Sequence, residues 1–228
     1  MSDSPPPKTL EEALKALELC GHAKVRELNA RNGAPENQYG VKMGDIRAIA
    51  KSIKFNHGLG LELWASENVE GMLLATLILK PKQLSGEDLE RMASSVTYIQ
   101  LADWLMTNVI KQHPLKETMR LRWMQSSHPM LARAGWSLTA ERIVKNPEGL
   151  DLVGLLDRIE REMATAPTPA QWTMNFCLAE TGIQFAEHRQ RAIDIGEKLG
   201  LYRDYPCSKG CTSPFAPIWI GAMVARQA

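Results

Sequence analysis

The sequence predicts an all-α protein, a curved right-handed α-α superhelix of antiparallel helix pairs, and three observations carry that prediction. Apolar residues recur at helical spacing through segments of about 10–18 residues. A Pro, Gly, Ser or Asn break follows each segment, as brief connectors between packed helices require. No run of alternating β-branched residues marks a strand. The 228-residue chain is long enough to bury a substantial core. The expected organisation is one helical-repeat domain over residues 9–228, with a disordered, proline-rich arm at residues 1–8 and a capping tail at residues 201–228.

Taken in order, Thr9-Leu10-Glu11-Glu12 is a capping box, in which the threonine hydroxyl takes an orphan amide and Glu12 reaches back. Leu10, Ala13, Leu14, Leu17, Cys20 and Leu28 then keep helical spacing until Asn32-Gly33-Ala34-Pro35 ends the segment. Tyr39-Gly40-Val41 reads as a turn before a helix with Asp45 in its first turn. The backbone amides of that helix start, with Lys42 and Arg47 beside them, would make a phosphate seat; the plainer reading is an ordinary loop and helix start. Helices are expected over residues 59–64, 69–79 and 85–92.

Residues 92–110 then form a long run whose only charged side chain is Asp103. If the run is helical throughout, Val96, Ile99, Ala102, Met106, Val109 and Ile110 share one stripe with Asp103, and Tyr98, Leu101, Trp104 and Leu105 line the other side. A carboxylate on a buried stripe needs a partner, hydrogen bonds, or a cleft where its charge is used. Ser94, Ser95, Thr97, Gln100, Thr107 and Asn108 are too polar for a membrane span.

Pro114, Pro129 and Pro147 introduce helices over residues 115–124, 130–144 and 150–163. A proline-rich break at residues 166–169 precedes helices over 170–182 and 187–199. The remaining tail is irregular. Ser208, Lys209, Gly210, Thr212 and Ser213 suit an anion-binding turn, or simply a cap on the last helix pair.

Lys and Arg number 27 against 26 Asp and Glu, a net charge of +1, so any nucleic-acid surface must be local. Cys20, Cys177, Cys207 and Cys211, with no apolar segment after Met1, lead us to expect a reducing cytoplasm. Neither a metal nor a cofactor is expected. Cys207 and Cys211 lack a second ligand pair at zinc spacing, and no phosphate-binding glycine motif occurs. Among the six tryptophans, Trp104 beside Asp103, and Trp136 with Trp123 around His128, are candidates to line a cleft; core packing is the commoner use. Arg133 in the apolar segment LARAGW would either pair with Asp103 or bind a phosphate.

Four stretches resemble the AlkD-like DNA alkylation repair proteins, which are built of HEAT-like repeats. They are YGVKMGDIR from Tyr39 to Arg47, the Asp103 helix, the LARAGW helix, and the closing RDYPCSKGCTSPFAPIWI. The resemblance implies a HEAT-like array, acting as a monomer, that holds double-stranded DNA mainly by its phosphate backbone. It also implies excision of cationic N3- and N7-alkylpurines without base flipping, with Asp103 as the catalytic carboxylate. Stabilising the positive charge that develops on the sugar, and placing a water, are what a fixed carboxylate can do there. The resemblance places Lys42 and Arg133 near DNA phosphates; together with Tyr39, Arg47 and Lys209 they are the expected DNA contacts, and Tyr98, Trp104 and Trp136 the expected cleft lining. The family's Trp-Asp-x-x-Asp motif reads Ile99-Gln100-Leu101-Ala102-Asp103 here, and a second tryptophan is replaced near Leu178. Beside the glycosylase reading stand a non-catalytic module that reads DNA shape and a protein-binding scaffold.

Overall fold

The computed structural model describes residues 5–227, and among them the chain forms thirteen α-helices, three short 3-10 helices and no strand. Half of the arm expected at residues 1–8 lies outside the described residues. One isolated antiparallel bridge joins Gly21 to Val41. No helix among the described residues is long and apolar enough to cross a membrane. The chain divides into two compact units, residues 1–116 and 117–228.

The first unit contains α1 (Leu10–Leu19), α2 (Ala23–Arg31), α3 (Met43–Ile53), α4 (His57–Ala65), α5 (Val69–Ile78), α6 (Gly86–Ser95) and α7 (Ile99–Asn108). Its helix starts are written locally. The Thr9 hydroxyl accepts from the Glu12 amide at 3.2 Å while Glu12 accepts from the Lys8 and Thr9 amides, completing the capping box. Asn56, Asn68 and Ser85 cap α4, α5 and α6 in the same way, through the amides of Leu59, Gly71 and Asp88. The short connector at residues 66–68 turns the chain back, so α4 lies along α5. Helix α5 also packs against α3 and α7, which makes it the middle of a layer. That position explains why almost every residue of α5 is buried.

Two expectations of continuous helix fail in this unit. The first segment is broken at Cys20–His22, where Gly21 meets the Tyr39–Val41 turn so closely that an added Cβ would stand 2.8 Å from the Tyr39 carbonyl oxygen. The central run is likewise not one helix. Val96 and Tyr98 are extended, with ψ of 123° and 115°, and α7 begins afresh at Ile99.

The second unit contains α8 (Lys116–Trp123, which starts at the boundary), α9 (Pro129–Lys145), α10 (Leu152–Glu162), α11 (Thr168–Gln184), α12 (Ala186–Leu199) and α13 (Ala216–Gln227). Its core is centred on α9 and α11, which share the most extensive helix contact of the chain. Gly135 lets α9 approach the end of α8, since a Cβ there would stand 2.4 Å from the Met124 amide nitrogen. Gly200, at φ 64°, ends α12 in the left-handed cap that favours glycine. The tail, expected to be irregular, carries α13 instead, whose Ile220 is fully buried in the core.

Candidate functional site

The Tyr39–Val41 turn, which leads into the helix start expected to seat a phosphate, is held from within the protein. Glu70, fully buried on α5, accepts from the Tyr39 amide at 2.9 Å, from Gly40 at 2.9 Å and from Val41 at 3.2 Å. Gly40 sits at φ 80° with an added Cβ only 2.5 Å from the Arg26 nitrogen, so the turn requires glycine. Burial, then Glu18 and Glu70, push the Tyr39 phenol above its ordinary value, and burial and Glu70 do the same to Tyr98. The turn therefore anchors the start of α3 to α5. Lys42, its N-cap, is exposed, and so are Arg47 and Lys51 on its outer face.

Asp103 is exposed, which corrects its expected place on a buried stripe. The break before Ile99 resets the helical phase. In α7 the buried line is Leu101 and Leu105, continued by Tyr98 and Val109 at its caps, while Ile99, Asp103 and Thr107 share the exposed line. Next to Asp103, half-buried Trp104 lies under the Arg47 guanidinium, 4.9 Å from the ring centre to the carbon. The structure thus brings Arg47 of α3 to the Asp103–Trp104 step of α7. Tyr98 is not part of that face. It is 3 % exposed and lines a cleft of about 630 Å³ with Trp64, Met92 and Leu101, on the side of α7 opposite Asp103.

In the second unit Arg133 is 6 % exposed and donates to the Pro169 carbonyl at 3.3 Å. Trp136 does not line an open cleft. It is 2 % exposed, belongs to the core, and its ring is covered by the Arg158 guanidinium at 5.1 Å. Lys209 is exposed in the turn closed by the Cys211 amide on the Ser208 carbonyl. The tail's tyrosines and Trp219, which the sequence suggested could pack the tail down, do so in an aromatic cluster whose α11 partners, Trp172 and Phe176, sequence reasoning missed: Tyr202 and Tyr205 after α12 meet Trp172, and Trp219 of α13 meets Phe176. The i, i+4 spacing of Trp172 and Phe176 was the one local signal for it. Burial raises the Tyr202 phenol, and Arg133 partly opposes the shift.

This exposed carboxylate and its guanidinium-capped neighbour sit in a chain whose residues 11–204 match the family model for DNA alkylation repair enzymes. The chain belongs to that family. Two curated relatives match over 217 residues, 92 % of this chain and 94 % of theirs: an uncharacterised protein of Listeria innocua, Lin0241, at 26 % identity, and one of Listeria monocytogenes, Lmo0209, at 25 %. A solved structure superposes with a TM-score of 0.79 at 23 % identity, over 96 % of this chain and 95 % of the other. That protein is described as one of a new family related to the HEAT-like repeat DNA glycosylases, with affinity for branched DNA structures. The fold of this family member is accordingly the HEAT-like repeat fold that the resemblance implied.

Proposed function

We propose that this member of the alkylation repair family is a monomeric DNA-binding protein that holds double-stranded and branched DNA by its phosphates, through the exposed cations of α3. The observation that carries this reading is the Arg47 guanidinium over the Trp104 ring. A cationic alkylpurine would have to stack where a cation already lies, and like charges there oppose it. A phosphate meets the opposite condition, because Arg47 and Lys51 are exposed on α3 and Lys42 is exposed at its N-cap. Backbone binding of this kind is sequence-independent and falls steeply with salt. The affinity of the solved relative for branched DNA supports the same direction.

The test is affinity for a duplex and for a branched DNA across a salt series, wild type beside Arg47→Ala. Removing one phosphate contact is expected to lower the slope of log affinity against log salt by about 0.9. No binding of either DNA at low salt would refute the reading. A second reading, excision of cationic N3- or N7-alkylpurines with Asp103 as stabiliser of the sugar cation, is favoured by one observation: the carboxylate faces solvent, where a ligand can reach it. Release of 7-methylguanine or 3-methyladenine from methylated duplex, abolished in Asp103→Asn, would establish it and displace the purely binding role.

A further inference from the structure

The layer formed by α3, α5 and α7 ends on one side in a shallow pocket of about 510 Å³, lined by Phe55, Lys80, Pro81, Lys82, Gln83 and Gln112. Each helix contributes the residues that follow its C-terminus: Phe55 after α3, Lys80 to Gln83 after α5, and Gln112 after α7. The segments are fixed to one another. The Asn56 amide donates to the Ile78 carbonyl at 3.0 Å, the Lys80 amide to His57 Nδ1 at 3.4 Å, and His113 Nε2 meets the Leu84 carbonyl at 3.0 Å.

On this rigid rim Phe55 is 69 % exposed. The residue before it, Lys54, takes φ 64° and ψ −147°, a left-handed-side conformation unfavourable for a side-chain-bearing residue. The chain thus bears local strain at the step that turns Phe55 outward. Lys54, Lys80, Lys82, Gln83 and Gln112 around it are all exposed, and none of the six lining residues is acidic. Cations at helix C-termini are accounted for by the helix dipoles, but an aromatic ring held in water beside them is not.

We infer that this rim is a binding site for an unpaired nucleotide of DNA, with the base stacked on Phe55, its flanking phosphates on Lys54, Lys80 and Lys82, and a base edge within reach of Gln83. The inference rests on the proposed DNA-binding reading and adds what the α3 cations do not supply, a means of telling single-stranded from paired DNA. A stacking platform beside cations is the chemistry by which single strands are held without sequence preference, whereas a paired base offers no free face. Helix α3 connects the two surfaces. Arg47 and Lys51 lie one turn apart on it and Lys54 follows, so the row of cations leads to Phe55.

The experiment measures affinity by fluorescence anisotropy for a fully paired duplex and for the same duplex carrying a single-stranded thymidine arm, at one low salt concentration. Wild type is compared with Phe55→Ala, Phe55→Trp and the double variant Lys80→Gln, Lys82→Gln. Phe55→Ala is expected to reduce the preference for the armed DNA about tenfold, a typical loss for one base–aromatic stack. Phe55→Trp is expected to keep that preference, and 5-iodouridine in the arm to cross-link to residue 55 of the wild type on irradiation. Equal preference in wild type and Phe55→Ala, with duplex affinity still dependent on Arg47, overturns this inference alone. Absence of binding to either DNA overturns it together with the reading beneath it. Loss of binding to phosphatidylserine vesicles in Phe55→Ala, with the DNA preference unchanged, would assign the rim to an anionic membrane surface and overturn it too. Because Phe55 is exposed, its removal leaves the fold intact, which far-UV circular dichroism checks.

Discussion

Replacing Glu70 by alanine tests the anchor beneath the cationic face. Its carboxylate is fully buried and takes three consecutive backbone amides, those of Tyr39, Gly40 and Val41. In Glu70→Ala those donors lose their acceptor in a place where water has little access. At roughly 1–3 kcal/mol for each unsatisfied buried donor, and with some relaxation of the turn, the expected loss is about 3–6 kcal/mol. Glu70→Gln retains the oxygen that serves Gly40 and Val41 but points an NH2 group at the Tyr39 amide, so about 2 kcal/mol is expected. Urea unfolding followed by circular dichroism measures both. Amide hydrogen exchange at Tyr39, Gly40 and Val41 gives a local reading, and all three should lose protection in the alanine variant before the first unit unfolds as a whole. A loss below about 1 kcal/mol with protection intact would refute the argument, since two buried donors and one half-buried donor left unpaired cannot be that cheap. The functional consequence follows from geometry: a loosened turn no longer holds Lys42 at the start of α3.

Further outcomes can be checked independently. Gly135→Ala would place a Cβ 2.4 Å from the Met124 nitrogen and 2.7 Å from the Trp123 carbonyl carbon, both backbone atoms. The overpacking should cost about 1–3 kcal/mol and lower Tm by about 2–12 °C, and a change under about 1 °C would contradict the close approach of α9 to α8. The Arg120 guanidinium, with Arg142 beside it, holds the Glu117 carboxyl below its ordinary 4.5. A folded-state value below the unfolded one stabilises at pH above about 4.5 and ceases to do so as acid protonates the folded carboxyl. Glu117→Gln should therefore be modestly less stable at neutral pH, Glu117 being partly exposed, and the difference should vanish on acidification; a gap that widened would refute it. Burial pushes the Cys177 thiol far up, while Cys207 and Cys211 are exposed. A thiol reagent should label the latter pair quickly in the native protein and Cys177 only on unfolding.

Local chemistry was readable in the sequence wherever it acts over three or four residues. The Thr9 box, the Pro, Gly, Ser and Asn breaks, and prolines such as Pro129 at the first position of α9 act on the backbone locally, so the all-α class and most helix limits followed without tertiary information. The family resemblance rested likewise on contiguous residues, above all Tyr39 to Arg47 and the closing tail.

What needed the folded chain is what depends on distant partners. Asp103 was assigned to a buried stripe because the helical phase was carried through Val96-Thr97-Tyr98, where no proline or glycine marks a break. That the Tyr39–Val41 turn is held by Glu70 was not legible either, because its partner lies some thirty residues away on another helix. The same holds for Arg47 over Trp104, for the aromatic cluster drawn from α11, the 202–205 segment and α13, and for the Phe55 rim, where the ends of three helices meet. Periodicity sets which residues can share a face; only packing selects which face is covered, and by which charge.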